Sequence, residues 1–198
     1  MKILYITKYF PPENGGIETL SKNICDEIKK NKNNYIEVLS FSKLNSFISN
    51  KFGYKVNFFK SYFEIFSTPI SFSLIFYLFK YAKKFDYIHL HTPNPFVSFF
   101  ILFLNYKKLI ISWGSDIINQ KIIKLLFYPI QYFVLKKAYK IICLSKSYFN
   151  HSSDLSFFKT KVIIIPPLIN FQKQKIKKFS KKKINILMIG RLVEIGRA

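Results

Sequence analysis

Lys2-Ile3-Leu4-Tyr5-Ile6-Thr7, running on into Lys8-Tyr9-Phe10-Pro11-Pro12-Glu13-Asn14-Gly15-Gly16, is the stretch on which the reading of this chain turns. The first six residues form a short, nearly continuous apolar run, the signature of a strand buried on both faces. A loop rich in proline and glycine ends it. Ile17, Leu20, Ile24 and Ile28 then recur at helical spacing, and Lys29 and Lys30 close the last turn, where cations suit the helix dipole. Strand, glycine loop and helix in that order open a parallel α/β sheet.

The same alternation continues outward. Tyr35 to Ser40 and Tyr54 to Lys60 read as strands, and Ser71 to Lys84 as a helix. Asp86-Tyr87-Ile88-His89-Leu90-His91 is a fourth strand, halted by Thr92-Pro93-Asn94-Pro95. A helix near Phe96 to Asn105 leads to a strand at Leu109 to Ser112, then Trp113-Gly114-Ser115-Asp116. A long helical segment from about Ile117 to Lys137 carries a kink at Pro129. Ile141 to Leu144 and Val162 to Ile165 are further strands. The pattern predicts an α/β fold: a doubly wound, Rossmann-like parallel sheet covered on both faces. It assigns residues 1–170 to this domain and 171–183, with seven lysines and no acid, to a basic linker. Residues 184–198 restart the strand pattern and read as the opening of a second domain.

Composition narrows the function classes. With 32 Lys+Arg against 10 Asp+Glu the chain carries +22, yet at 49% hydrophobic it is too apolar for a disordered polymer. Two cysteines, Cys25 and Cys143, exclude a disulfide scaffold and offer no metal-ligand cluster. Lys, Asn and Ile are the residues favoured by AT-rich coding, so part of the charge reads equally as drift or as selection for an anionic partner. Neither a secretory signal nor a run long enough to cross a bilayer is spelled, and the chain is expected to be cytoplasmic, with peripheral membrane contact open. The ten acids are scattered, which gives little support to a hydrolase built on two carboxylates.

In such a sheet ligands bind outside the carboxyl ends of the strands. Four features fall there: Gly15-Gly16, His91 with Thr92-Pro93, Trp113 to Asp116, and Ser145. Two glycines at a helix N-terminus let backbone N–H groups approach a phosphate, although the same pair suits a plain tight turn. His89 and His91 share one side of their strand. A core histidine with a satisfied hydrogen bond is the more common explanation for either, and His91, nearer the strand end, is the site candidate. Asp116 is a candidate site acid or a helix cap. Trp113 either stacks on a sugar or base, or fills the crevice wall.

Taken as an ordered series, these pieces resemble the amino-terminal half of a family 4 glycosyltransferase of the GT-B fold. The carriers are Pro11 to Glu18, Asp86 to Pro95, Ser112 to Ile118, Ala138 to Ser145, Val162 to Pro166 and Gly190-Arg191-Leu192-Val193. The resemblance implies transfer of a hexosyl unit, with retention, from a nucleotide-diphosphate sugar to a polysaccharide or lipid-linked glycan. It implies no metal and no cofactor beyond the donor. Gly15, Gly16 and Arg191 would hold the donor phosphates, His91 and Asp116 would be catalytic, and Glu18, Trp113 and Ser145 would line the acceptor side. Gly114 stands where the pattern has a histidine, Leu168 and Asn170 replace a glycine and an aspartate, and the lysine expected after Arg191 is absent. A GT-B site lies between two domains, so the chain is expected to be an incomplete fragment with little activity alone. Two other classes compete. The lysines with interleaved aromatics at Ile122 to Lys137 and in 171–183 suit an anionic membrane surface. Nucleic-acid binding, which the charge alone would allow, has no reading motif behind it, and no nucleic-acid partner is expected.

Overall fold

The computed structural model describes residues 1–65, 67–114 and 121–167. Asp116, Arg191, the boundary at residue 170, the basic linker and the restarting strand lie outside the described residues.

The element order is β1 (Lys2–Ile6), α1 (Gly16–Lys30), β2 (Tyr35–Ser42), β3 (Phe47–Ser49), β4 (Lys55–Lys60), β5 (Phe63–Ile65), β6 (Thr68–Ile70), α2 (Phe72–Tyr81), β7 (Tyr87–Thr92), α3 (Pro95–Ile101), β8 (Lys108–Trp113), α4 (Lys121–Lys137), β9 (Lys140–Cys143), α5 (Lys146–His151) and β10 (Val162–Ile164). The main sheet runs β10-β9-β8-β7-β1-β2-β4-β3, parallel throughout except for β3 at its edge. From β1 the chain winds one way through β2 and β4, then crosses back to β7 and winds the other way. The crossing point, between β1 and β7, is where the crevice of such a sheet opens.

Alternation sorts the sheet into two faces. Leu4, Ile6, Leu39, Phe41, Ile88, Leu90, Ile111 and Trp113 pack against α2, α3 and α4. On the other side Ile3, Tyr5, Ile36, Val38, Val56 and Phe58 pack with Cys25 of α1. Tyr5 donates to Ser21 at 3.3 Å and Thr7 lies 3.1 Å from Ser21, so β1 grips the first turns of its own helix.

Three features depart from the sequence reading. The strand at 47–49 and the β5–β6 hairpin form in stretches with no marked apolar pattern, held by pairing to β4 and to each other. The helix expected over 71–84 ends at Tyr81 and finishes as a 3-10 turn through Lys84. Both faces carry helices as expected, but among the described residues the α1 face is covered only in part. Beside α1, an apolar groove of about 300 Å³ runs over Ile110, Ile142, Leu144 and Ile165, with His89 and Ser112 also in its lining.

At the amino ends of the strands sits a saturated polar cluster. Buried Glu37 accepts from Asn57 at 2.6 Å, from Tyr35 at 3.0 Å and from Tyr77, and pairs with Lys55 at 3.1 Å. Burial alone would raise its carboxyl, but the bonds from Tyr77, Lys55 and Asn57 hold it below its ordinary value.

Candidate functional site

The carboxyl ends of β1, β7 and β8 bring the predicted positions to one rim. Adjacent strands pair Ile6 with Leu90, His91 with Ser112, and Thr92 with Trp113. Gly114 donates its N–H to the Thr92 carbonyl at 2.9 Å, which sets it beside the β7 terminus. Asn94 caps α3 by accepting from Val97 at 3.4 Å, so the proline turn after His91 is fixed at both ends.

His91 and His89 differ in their bonding. His89 is buried, stacks edge-on against Tyr5 and holds Ser112 Oγ at 2.7 Å. It is a core histidine. Equally buried, His91 has no hydrogen-bond partner for either ring nitrogen among the described residues. Leaving a buried polar group unpaired costs on the order of 1–3 kcal/mol, which is why such groups concentrate where a ligand completes them. Burial pushes His89 down to about 3 and His91 down to about 4, so both are neutral near pH 7. A neutral imidazole can donate from one nitrogen and accept at the other.

On the α1 side of the same rim, Gly15 is the residue before the helix, with extended backbone, and its carbonyl accepts from Thr19 at 3.1 Å. The place a Gly15 side chain would take is filled by the Glu18 carboxylate, whose Oε2 lies 2.1 Å from where that Cβ would stand. Glu18 thus folds back onto the N-terminus of α1, where negative charge is favoured. Around Gly16 no atom lies within 4 Å of the position a side chain would take. His91 and α1 lie on the same face of the sheet, as the Tyr5–His89 contact and the strand alternation require.

Other predicted positions fall differently. Trp113 is 2% exposed and belongs to the core on the opposite face, so its indole is a wall residue rather than a stacking surface. Ser145 is exposed and caps α5, accepting from Tyr148 at 3.1 Å. Gly114 is structural: a Cβ there would stand 2.8 Å from the Thr92 carbonyl oxygen and 3.0 Å from His91 Nε2. No cluster of three His, Cys, Asp or Glu side chains is placed to hold a metal among the described residues.

The sequence reading missed Lys8. It leaves the end of β1, donates to the Ser67 carbonyl and feels the charges of Glu64 and Glu18, which places a cation at the mouth. Its position immediately after the central strand was the available signal. Beside it, Tyr9 donates to Glu64 of the hairpin. Burial lowers the Lys8 ammonium below its ordinary value, with Glu64 opposing the shift.

Comparison with known proteins agrees with this fold. The Anabaena protein Alr3699/HepE, solved with UDP and glucose and also with UDP-glucose, superposes with a TM-score of 0.57. Its identity to this chain is 14% and 13% in the two structures; 86% of this chain is covered, and 45% and 44% of theirs. At that identity the likeness establishes the fold. An Escherichia coli protein, O-antigen chain mannosyltransferase C, is 27% identical over 172 residues, covering 84% of this chain and 45% of its own length. The chain therefore spans about half the length of the proteins it matches. The glycosyl transferase 4-like family model matches residues 10–145, a span that takes in the glycine loop, the His91 strand end and the β8 terminus, and the chain belongs to that family.

Proposed function

We propose that this chain forms the acceptor-side half of a retaining glycosyltransferase that moves a hexosyl unit from a nucleotide-diphosphate sugar to a glycan or lipid-linked glycan. The carrying observation is the juxtaposition at the β1–β7 crossing: open backbone at Gly16 and, on the same face, a neutral His91 without a hydrogen-bond partner among the described residues. In the reaction the sugar's bond to the diphosphate breaks and a bond to the acceptor oxygen forms. The acceptor hydroxyl proton ends on the departing diphosphate.

Charge accumulates on that diphosphate, so groups already aimed at it lower the barrier. The N-terminal amides of α1 supply such groups without a side chain in the way at Gly16, and Lys8 adds a cation at the same mouth. His91, with one nitrogen to donate and one to accept, orients hydroxyl groups of the reacting sugar or acceptor. Glu18 would swing off the helix end when phosphate arrives, since two anions cannot share that terminus. Asp116 and Arg191 keep their proposed catalytic and phosphate-binding roles. The relatives support a nucleotide-sugar donor, one by the UDP and UDP-glucose in its solved structures and one by its mannosyltransferase name. A nucleotide-sugar donor supports a cytoplasmic reaction, and the O-antigen name of the relative supports a polysaccharide product.

The test is calorimetric binding of a panel of nucleotide sugars and oligosaccharide acceptors to the chain, comparing wild type with His91→Ala. A loss of about tenfold in affinity with unchanged circular dichroism is expected. Binding of no ligand in the panel, or equal affinities for the two proteins, would remove the proposal.

A further inference from the structure

Among the described residues four buried side-chain atoms have no hydrogen-bond partner: both ring nitrogens of His91, Nδ2 of Asn94 and Oη of Tyr106. Three of the four belong to the single turn that leaves β7, whereas Tyr106 precedes β8 at the other end of the sheet. Asn94 is 2% exposed, and its Oδ1 accepts from the Val97 N–H at 3.4 Å to cap α3. That bond settles how the carboxamide lies, since only its oxygen can face a backbone N–H. Nδ2 is left with two N–H donors and no acceptor among the described residues. Capping accounts for the oxygen alone. A serine or threonine caps as well without burying a bare amide nitrogen, so the nitrogen needs a separate reason to be there.

We propose that Asn94 is a specificity-determining residue whose amide nitrogen donates to a hydroxyl oxygen of a neutral sugar bound at the His91 turn. The surroundings favour that class of ligand. The turn is fixed to β8, by Thr92 Oγ1 donating to the Ser112 carbonyl at 3.2 Å and by the Gly114 N–H donating to the Thr92 carbonyl at 2.9 Å. Donors on a fixed backbone are in place before a ligand arrives, which lowers the cost of binding. The cover over Asn94 is shallow, because Pro93 and Pro95 on either side of it are both half-buried. Neither Asn94 nor the neutral His91 carries charge, which suits a hydroxyl better than a phosphate. A sugar hydroxyl can accept from Nδ2 and donate its own proton to a His91 nitrogen, whereas a phosphate oxygen can only accept. The inference rests on the sugar-transfer reading of the site. It adds a residue that reads the sugar while the α1 terminus serves the phosphates.

Calorimetry on the full chain tests it, with UDP, UDP-glucose, GDP, GDP-mannose and mannotriose as probes. Asn94→Ser and Asn94→Thr keep a cap on α3, so circular dichroism and melting temperature should match wild type. Affinity for a sugar-bearing probe should fall about fivefold in both, with binding of UDP and GDP unchanged. A fall confined to the nucleotide sugars assigns the contact to the donor's sugar, and one confined to mannotriose assigns it to the acceptor. Should a variant misfold, NMR spectra of the wild type take its place: the Asn94 side-chain N–H pair should shift with the sugar-bearing probe and not with UDP. Equal losses for UDP and UDP-glucose would overturn the proposal, as would a lowered melting temperature in both variants, which would give the nitrogen a structural task. Unchanged sugar binding in both variants, with His91→Ala still weakened, would remove Asn94 and leave the sugar-transfer reading standing. A wild type that binds no sugar-bearing probe would remove both.

Discussion

The two ends of the sheet hold polar groups of equal burial and opposite condition. At the amino ends Glu37 is surrounded by donors from Tyr35, Asn57, Tyr77 and Lys55. At the carboxyl ends His91 has both nitrogens unpaired among the described residues, beside a glycine with open space around it. A saturated cluster has no bonding capacity left for a ligand, and its work is structural. An unsaturated one carries a cost that only a partner relieves. The same chain thus sets a fully bonded cluster at one end of its strands and an open one at the other, and each end is testable against the other.

The largest effect on stability belongs to the saturated end. Glu37→Ala would strand the buried Asn57 amide and the half-buried Tyr77 hydroxyl and leave Lys55 without its counter-charge. A loss of about 4 kcal/mol is expected in urea unfolding. A loss below 1 kcal/mol would mean the cluster rehydrates freely and that the contrast between the two ends is overstated.

Acid separates the ends by pH. His89 and His91 titrate near 6.5 when unfolded and near 3 and 4 when folded. Between those values the unfolded chain binds more protons, so stability is full above about pH 6.5 and falls as pH drops. At pH 5 the loss is about 2 kcal/mol per histidine. Glu37 behaves differently: its folded carboxyl lies below its ordinary 4.5, so its contribution is present above that value and is lost only as pH falls further. His91→Gln should therefore flatten the stability profile between pH 7 and 5, while Glu37→Gln should leave its slope there unchanged. Identical slopes for wild type and His91→Gln would show that His91 is not held neutral by burial.

How much of this was legible in the sequence follows from which interactions are local. The strand run Lys2 to Thr7, the glycine loop and the periodic isoleucines of α1 announce themselves, because burial on two faces and on one helix stripe leaves its mark on neighbouring residues. The strand ending in His91 could be placed at the rim for the same reason. What could not be read is pairing across the sheet. That His89 meets Ser112 while His91 meets no partner among the described residues depends on the β7–β8 register. Lys55 and Tyr77 reach Glu37 from an adjacent strand and a separate helix, a distance in sequence that no local pattern encodes. Trp113 shows the complementary failure. An aromatic residue at a strand end serves equally for stacking or for core, and only the alternation of faces put it with Ile111 in the interior.

Gly114 tests whether the unsaturated end has slack. The resemblance to the family places a histidine here, yet a Cβ would press on the Thr92 carbonyl at 2.8 Å, and backbone cannot swing aside as a side-chain tip can. Gly114→His should cost about 1.5 kcal/mol and should not tighten binding of a nucleotide sugar or glycan. Full stability with tighter binding would show instead that the mouth opens readily and that glycine there weakens the site.

The smallest effect is the most diagnostic. Gly16 opens α1 and nothing lies within 4 Å of where its side chain would stand, so Gly16→Ala meets no clash and gains helix propensity. Its stability should be unchanged or higher by about 0.5 kcal/mol. Binding of UDP or GDP, measured by calorimetry, should nonetheless weaken, because the added methyl occupies the space through which the helix amides approach a phosphate. The neighbouring Gly15→Ala displaces the Glu18 carboxylate, a flexible tip that can move, and so separates a change in the acid's position from a change in backbone access. A Gly16→Ala protein that is stable and binds nucleotide as before would leave α1 as a turn and helix with no part in the phosphate site, and the unpaired histidine would then need another ligand to explain it.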